Sequence, residues 1–465
     1  MDDRRLSGLL AACAHDRPRA SSSGAIAVST DVSNARLLLV VLLCASPAVL
    51  LLDGPMMHGI VAGVTAIGMA LVSRTLRPGE TTFFLSIARP AAILAAVPAL
   101  WMLIQVLPLR TIAHPMWTSA EVAIGHPVTG SISIDIGANV MALGQYLTIA
   151  AIAFWAGAVA VDRQRAEWIL FSLMAATGLI GLTMVAVDVF GLTMLNAGAA
   201  PFKRSQAIDC AAMGVVLAAA AGMRTFERYE TRHSSPDRSV SRLMTTFAAC
   251  GLAFAVCVAA VIVGSQDATV LATAYGAATI AALVLIRRLG FGPWGTAAIV
   301  VPAVAVATFL AVGNPAVRTK AFSLAFATGS PASLTSLSQR VLDDVPLMGT
   351  GAGTFAAIAS VYRDINDQEV LSTAPTAAAA MAIELGRPML WLAVAAMAGA
   401  IVILFQSSLR RGRDSFYPAA GAGCLVTILF LSFMNAGALG TAAAMIAAAI
   451  LGLAFAQRTS RTVQR

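Results

Sequence analysis

The segment Leu342-Asp-Asp-Val-Pro-Leu-Met-Gly-Thr-Gly-Ala-Gly-Thr-Phe355 lies inside a long polar interruption, Asn314 to Arg387, of a chain otherwise built of apolar runs. Apolar residues recur at helical spacing on both sides of the glycines. They are Leu334, Leu337, Val341 and Val345 before the glycines, and Phe355, Ile358, Tyr362 and Ile365 after them. Two amphipathic helices are therefore predicted, with Thr354 placed to cap the second. A long loop with structure of its own is usually functional.

The composition excludes a soluble protein. Hydrophobic residues make up 58% of the chain and charged residues 12%, which leaves too little polar surface to cover a globular domain. The apolar residues form continuous runs of about 20 residues, the length of a helix that crosses a bilayer. They lack the alternation of β-barrel strands. The sequence therefore predicts an all-α polytopic membrane protein.

About twelve transmembrane helices are predicted, with both chain ends on the same side of the membrane. The spans cover residues 36–53, 56–73, 89–108, 138–161, 167–188, 206–223, 244–264, 268–286, 294–312, 388–406, 416–434 and 438–456. The predicted organisation is a disordered tail (1–34), nine spans (35–312), a long loop with two amphipathic helices (313–387), three spans (388–457) and a short tail (458–465).

The distribution of basic residues predicts the orientation. With the N-terminus in the cytoplasm, 23 of the 31 Lys and Arg residues fall on the cytoplasmic side and 8 on the other. Such an excess is typical of cytoplasmic loops, so the net charge of +8 does not indicate a nucleic-acid partner. The predicted localisation is the bacterial inner membrane, in contact with membrane lipids, with both termini cytoplasmic. The long loop between spans nine and ten is then periplasmic.

The glycine-rich segment allows two interpretations. Gly349, Gly351 and Gly353 suggest a nucleotide-binding loop, but the segment lacks the lysine of a P-loop. It is also predicted to face the periplasm. The glycines can instead deliver backbone N–H groups to an anion at a helix start. Alternatively, they only turn the chain between two helices.

Several charged residues are candidates for a site, each with a simpler alternative. Arg340 and Arg363 can bind a phosphate, or pair with nearby aspartates at helical spacing. Lys203 and Arg204 have no close acidic neighbour in sequence and can bind an anion or meet lipid headgroups. Glu384 can act as a base or pair with the nearby Arg387.

Other chemistry is not indicated by the sequence. The scattered histidines His58, His114 and His126 are interpreted as surface or headgroup contacts. The six cysteines lie mostly in apolar runs and none lies in the long loop, so neither a disulfide framework nor a zinc site is predicted. No cofactor is expected.

Over most of its length the chain resembles the O-antigen ligase and polymerase superfamily of bacterial membrane glycosyltransferases. The resemblance lies in the number of spans, the long loop between spans nine and ten, and four short motifs. These are Pro346-Leu-Met-Gly-Thr-Gly-Ala-Gly-Thr-Phe355 followed by Tyr362, Glu384-Leu-Gly386, His114-Pro-Met-Trp117, and Ser131-Ile-Ser-Ile-Asp135.

The resemblance implies transfer of a glycan from a polyprenyl-diphosphate carrier to an acceptor glycolipid or growing polysaccharide, without a metal or nucleotide. Arginines hold the diphosphate in this family, and a histidine is thought to help activate the acceptor. Here Pro375 and Thr376 stand in place of the family's His-Asn pair, and Gln266 in place of an arginine. Gly329-Ser330 stands where the family has a Gly-Arg pair, and Phe202-Lys-Arg-Ser205 replaces an Asn-Arg-Asn-like stretch.

The residues that remain define the expected site. Lys203, Arg204, Arg340 and Arg363 are expected to bind the lipid diphosphate, and Glu384 is the nearest candidate base. The family motif adds Tyr362 and the three glycines. Two other functions stay open, namely a non-catalytic partner that binds glycolipid or organises a polysaccharide complex, and a transporter. The transporter is disfavoured by the shortage of intramembrane charge.

Overall fold

The computed structural model describes residues 22–76, 78–190, 201–230, 239–264, 267–289, 322–324, 326–327, 330–363, 373–411 and 414–459. Its α-helices are α1 (Ser22–Cys44), α2 (Ser46–Leu51), α3 (Pro55–Thr75), α4 (Pro78–Val106), α5 (Met116–Ile124), α6 (Ile136–Val159), α7 (Arg163–Phe190), α8 (Pro201–Glu230), α9 (Ser239–Gly264), α10 (Asp267–Leu289), α11 (Ala332–Asp344), α12 (Phe355–Val361), α13 (Ala377–Glu384), α14 (Arg387–Arg410), α15 (Phe416–Met434) and α16 (Thr441–Ala456). Short 3-10 helices lie at Arg110–Ile112, Phe322–Leu324 and Gly437–Leu439. These described ranges contain no β-strand.

The predicted class of helical membrane protein is confirmed. Among the described helices, nine are long and apolar enough to cross a membrane, namely α3, α4, α6 to α10, α14 and α15. Two shorter apolar helices, Ser33–Cys44 and α16, accompany them. Together they coincide with eleven of the predicted spans. The ninth, 294–312, lies outside the described residues, so the count of twelve stays a prediction.

Helix α1 begins at Ser22, inside the range 1–34 that the sequence analysis assigned to a disordered tail. Its first half contains no proline and carries Ala25 and Ala27, which favour helix. The helix of the first span therefore continues toward the N-terminus instead of beginning after Asn34. This part of the tail prediction was wrong.

Helix α8 is the central helix of the bundle. Of its membrane-spanning window 83% is buried, against 67% for α15, the next most buried. It packs against α7, α9, α10 and α15. A Cβ on Gly214 of α8 would lie within 3 Å of both Thr177 on α7 and Cys257 on α9. Small residues of this kind let membrane helices approach closely.

Helices α11, α12 and α13 form a layer at one end of the bundle, which we call the loop face; the opposite end is the far face. The layer has its own apolar core, to which α11 contributes Leu337 and Val341 and α12 contributes Phe355 and Ile358. These residues belong to the apolar faces predicted from the sequence. Helix α12 ends at Val361. Tyr362 and Arg363 are not helical, so the predicted continuation of the helix past Val361 was wrong at these positions, and residues 364 and 365 lie outside the described residues.

Candidate functional site

Gly349, Gly351 and Gly353 form a tight backbone turn, the glycine turn, at the loop face. Their φ angles are +80°, +107° and +74°, in the region that residues with a side chain rarely adopt. A Cβ on Gly349 would lie 2.4 Å from the carbonyl oxygen of Glu384, and a Cβ on Gly351 would lie 2.2 Å from Ser133 Oγ. Backbone conformation and available space therefore both require glycine here.

Hydrogen bonds fix the glycine turn to the end of α13 and to α4. The backbone N–H of Thr350 donates to Ile383 O at 3.0 Å, and that of Gly351 donates to Glu384 O at 3.0 Å. From α4, the side-chain amide of Gln105 donates to Met348 O, directly before the turn, at 3.2 Å and to Glu384 O at 3.0 Å. The turn is thus anchored to the end of α13 and to the end of the span α4.

The segment before α6 holds the glycine turn from its other side. Ile134 N donates to Thr350 O at 2.9 Å, and Ser133 N donates to the backbone oxygen of Gln105 at 3.0 Å. Trp117 Nε1 donates to Ser133 O at 3.2 Å. Two segments singled out in the sequence, residues 131–135 and 349–353, therefore meet in the folded chain.

Glu384 caps helix α12. Its Oε2 accepts the N–H of Gly353 at 2.9 Å and its Oε1 accepts the N–H of Phe355 at 3.2 Å. Thr354 does occupy the N-cap position, but its hydroxyl donates to Gly351 O at 2.6 Å. The predicted cap by Thr354 was wrong, because its hydroxyl bonds to a nearby carbonyl and a carboxylate from α13 takes the orphan N–H groups.

These contacts bear on the two interpretations of Glu384. Arg387, its proposed ion-pair partner, donates instead to Leu342 O at 2.5 Å. Both carboxylate oxygens of Glu384 are engaged by backbone N–H groups. Burial raises the pKa of Glu384 to about 7, against the opposing effect of those two hydrogen bonds. Its position makes Glu384 a structural element of the loop face, and its role as a base stays a prediction.

The raised pKa of Glu384 predicts a pH-dependent stability. The pKa of this carboxyl is about 7 in the folded chain, against 4.5 ordinarily, so between these values the folded state binds the proton more readily than the unfolded state. The stabilisation is therefore complete below about pH 4.5 and is lost as the pH rises through about 7. We expect the stability to fall by about 2 kcal/mol between about pH 5 and about pH 7.

This prediction is checked by the melting temperature of the detergent-solubilised chain across that pH range. Glu384→Gln removes the titrating group and should flatten the curve. The control is Glu121→Gln, which removes a carboxylate that pairs with Arg110 at the same face and should leave the slope unchanged. Equal slopes for wild type and Glu384→Gln would contradict the prediction.

The four predicted basic residues lie in three parts of the chain, with Lys203 and Arg204 together at the start of α8. Lys203, at the start of α8, donates to Leu51 O at 2.8 Å, and Arg204 pairs with Asp188 of α7 at 3.1 Å. Arg340 lies on α11, and Arg363 follows α12 with an exposed side chain. Convergence of these four residues on one headgroup stays a prediction. The predicted partner of Arg363, residue 367, lies outside the described residues.

Tyr362 ends helix α12 and packs against the core of the loop layer. Burial and a hydrogen bond with Asp344 of α11 raise the pKa of its phenol. Its side chain therefore joins α11 to α12. No sugar or phosphate contact is needed to explain that position, so the substrate-binding role suggested by the family motif stays a prediction.

A second polar group, the Asp53–His58 cluster, consists of Asp53, His58, Gln145 and Thr441. His58 Nε2 lies 2.8 Å from Asp53 Oδ1 and 2.8 Å from Thr441 Oγ1. The amide nitrogen of Gln145 lies 3.1 Å from both ring nitrogens of His58. The side chain of His58 is 28% exposed and that of Asp53 14%, so the imidazole is accessible while its carboxylate partner is more enclosed.

The cluster lies below the glycine turn on one face of α6. A Cβ on Gly353 would contact Ala138 and Ala142, and Gln145 follows them at helical spacing. Seven residues separate Ala138 from Gln145, which is about 10 Å along a helix. Lys203 is bonded to Leu51, two residues before Asp53. The Asp53–His58 pair and the ammonium group of Lys203 therefore both lie at the short segment from Leu51 to His58.

The turn that presents Thr441 is fixed by buried polar contacts. Asn435 Nδ2 donates to Asp209 Oδ1 of α8 at 2.9 Å, and the N–H of Gly437 donates back to Asn435 Oδ1 at 2.8 Å. A Cβ on Gly437 would lie 2.7 Å from Asp209 Oδ2. These contacts attach the segment before α16 to α8, and they position Thr441 next to His58.

The Asp53–His58 cluster was missed by the sequence analysis, which interpreted His58 as a surface or headgroup contact. That interpretation was incomplete, because the ring is partly exposed but also contacts the side chains of Asp53, Gln145 and Thr441. The only local signal is an aspartate five residues before the histidine across a Gly-Pro turn. Thr441 is 388 positions from Asp53, and no local pattern links them.

A metal centre is not indicated within the described ranges, where no group of three or more His, Cys, Asp or Glu side chains is placed to hold an ion. No family model, curated protein or solved structure matches this chain. What the protein does therefore has to follow from its own residues.

Proposed function

We propose that the chain transfers a glycan from a polyprenyl-diphosphate carrier to an acceptor glycolipid or growing polysaccharide at the loop face. The observation that supports this most is the Asp53–His58 pair with Lys203 bonded to the same segment. A hydroxyl acceptor needs a base, and a departing diphosphate needs a cation where its charge develops. His58 can act as the base, and Lys203 of α8, bonded to Leu51, can supply the cation.

The proposed step uses His58 as the base in place of Glu384. An acceptor hydroxyl at His58 Nδ1, the ring nitrogen that does not face Asp53, gives its proton to His58 while its oxygen bonds to the anomeric carbon. The bond from that carbon to the diphosphate oxygen breaks, and the lipid diphosphate leaves with the electron pair. Asp53, at Nε2, stabilises the imidazolium that forms, and Lys203 stabilises the leaving group.

The glycine turn and Glu384 have a positioning role in this proposal. The turn packs on Ala138 and Ala142 of α6, the helix that also carries Gln145. Glu384 holds the turn through the N–H groups of Gly353 and Phe355. The loop layer therefore helps to position the helix that carries Gln145.

We assign the loop face to the periplasm and the far face to the cytoplasm of a bacterial inner membrane. The basis is the uneven distribution of Lys and Arg along the sequence. The proposed site then faces the periplasm, where nucleotide sugars are absent. This location is compatible with the proposed reaction, because the reaction uses no nucleotide. Both chain termini are cytoplasmic in this assignment.

The binding half of the proposal predicts an effect of Lys203→Ala. Loss of one charged hydrogen bond to phosphate is expected to weaken binding of polyprenyl diphosphate about tenfold, and added salt should narrow the difference. The measurement is the dissociation constant of the purified full chain at low and moderate salt. The control Arg110→Ala removes an exposed arginine that pairs with Glu121 at the same face. Equal affinities of the two variants would refute the role of Lys203.

A non-catalytic glycolipid-binding partner is the second candidate function. It is favoured by the engagement of both Glu384 oxygens in the loop structure and by Pro375 in place of the family's histidine. One measurement distinguishes the two functions, namely the release of free lipid diphosphate when the purified wild-type chain is mixed with a lipid-linked glycan and an acceptor. Release of free lipid diphosphate supports transfer, whereas binding without release supports the partner role.

A further inference from the structure

An apolar cavity of about 370 Å³ lies among α4, α6, α14, α15 and α16. Its volume is within the range of ligand-binding cavities, about 300–1,000 Å³. Toward the loop face it is lined by Ala95, Tyr146 and Ala444, and toward the far face by Phe84, Gly157 and Phe455. No charged side chain lines it.

The cavity has the length and chemistry of a hydrocarbon chain. It follows α16 from Ala444 to Phe455, about 16 Å at 1.5 Å per residue. That is about half of the roughly 30 Å hydrocarbon core of a bilayer. The hydroxyl of Tyr146, its polar lining group, already donates to Ala95 O at 2.8 Å. A sugar or phosphate would lose its hydrogen bonds in such surroundings.

The cavity is bounded toward the loop face by contacts of α4 with α14 and with Leu385 before it, and it opens between α4 and α14 below these contacts. At the loop end, α4 and α14 are tied by the hydrogen bond from Trp101 Nε1 to Leu385 O at 2.9 Å and by the packing of Met102 with Met389. Below this contact α4 contains Pro90 and Pro98, and prolines bend a helix. The lining residues Ala91 and Met397, on α4 and α14, are partly exposed.

Arg458 lies at the far end of the cavity. Its guanidinium carbon is 5.6 Å from the centroid of the Phe455 ring, which lines the cavity. Its Nε is buried and has no hydrogen-bond partner among the described residues. A buried guanidinium N–H is a strong donor, and a phosphate oxygen matches it in charge and geometry.

We propose that this cavity binds one acyl chain of an anionic phospholipid from the leaflet at the far face, with the lipid phosphate on Arg458. The apolar wall selects the chain, and the guanidinium selects a negatively charged headgroup. The site opens away from the loop face, so it is separate from the proposed transfer site and does not depend on that activity. Its occupant would fill the gap between α4 and α14.

The headgroup contact is tested by lipid binding to the purified, delipidated full chain, measured by native mass spectrometry. The two lipids are phosphatidylglycerol and phosphatidylcholine with identical chains. Wild type should prefer phosphatidylglycerol about fivefold, the equivalent of about 1 kcal/mol per basic residue. Arg458→Gln should lose this preference, while Arg410→Gln, an exposed arginine at the same face, should keep it. The role of Arg458 would be overturned if both variants kept the preference for phosphatidylglycerol, or if both lost it to the same extent.

The chain contact is tested by filling the cavity. Ala444→Leu and the larger Ala447→Phe place side chains into it from α16 and should weaken binding of both lipids about tenfold or more, if one chain is excluded. Ala398→Phe on α14, exposed and outside the lining, is the control. Melting temperatures identify a variant that fails to fold. Binding that is unchanged in a folded filling variant would overturn the site.

Discussion

Gly351→Ala is expected to destabilise the loop face by about 3 kcal/mol or more. Gly351 has a φ of +107°, which an alanine adopts only with strain. The new Cβ would also lie 2.2 Å from Ser133 Oγ and 2.9 Å from Ser133 Cα. Rotation of the serine side chain can relieve the first contact but not the second, so the backbone has to move. The hydrogen bonds of Gly351 and Thr350 to α13 are then lost together.

The matched control for Gly351→Ala is Gly251→Ala. Gly251 is an exposed glycine within α9, and a Cβ there has no neighbour within 4 Å. Because alanine favours helix over glycine by about 1 kcal/mol, this variant should melt at or above the wild-type temperature. Both variants are compared in one detergent by thermal unfolding and by protease cleavage of the loop. A Gly351→Ala chain that melts with the control would refute the structural account of the glycine turn.

His58→Asn is expected to lower glycan transfer about 10²- to 10⁴-fold, the usual contribution of a positioned acid–base group. Asparagine keeps a polar side chain of similar reach, so the contact with Gln145 can persist. Binding of the polyprenyl diphosphate should change little, because Lys203 is untouched. The readout is the single-turnover rate of lipid-diphosphate release, measured alongside the affinity for the carrier.

Two further variants separate chemistry from folding in the His58 experiment. His126→Asn changes an exposed histidine of the loop face and should transfer at the wild-type rate. Asp53→Asn should slow transfer in the same direction as His58→Asn, because the imidazolium loses its carboxylate. A His58→Asn chain that melts normally and transfers at the wild-type rate would exclude His58 as the base and return Glu384 to consideration.

The membrane helices could be predicted from the sequence because the requirement that produces them is local. A span must satisfy its own backbone hydrogen bonds and present apolar side chains to lipid. Each run of about 20 apolar residues therefore indicates a transmembrane helix without information from the rest of the chain. The apolar faces of α11 and α12 follow from periodicity in the same way. Leu337 and Ile358, predicted from spacing, are both buried in the structure.

The site could be predicted only in part, because its contacts join distant positions. The glycines indicate a tight turn, but their spacing does not show that Ser133 leaves no space for a side chain at position 351. Thr354 was the local choice for a helix cap, yet Glu384, 29 positions beyond Phe355, provides it. The Asp53–His58 cluster depends on residues from three separate spans and carries no periodic signal.

The bond between Gln105 and Glu384 has a consequence for the biogenesis of the protein. It spans 279 positions, and the bond between Trp101 and Leu385 spans 284. Chains are synthesised from the N-terminus and domains generally fold in that order, but these contacts cannot form until residue 385 has left the ribosome. Pairings of such long range are slow to form. Until then, the side chains of Trp101 and Gln105 on α4 lack these hydrogen-bond partners in the membrane. A chain truncated before α13 never acquires them, and we expect it to be degraded by membrane proteases.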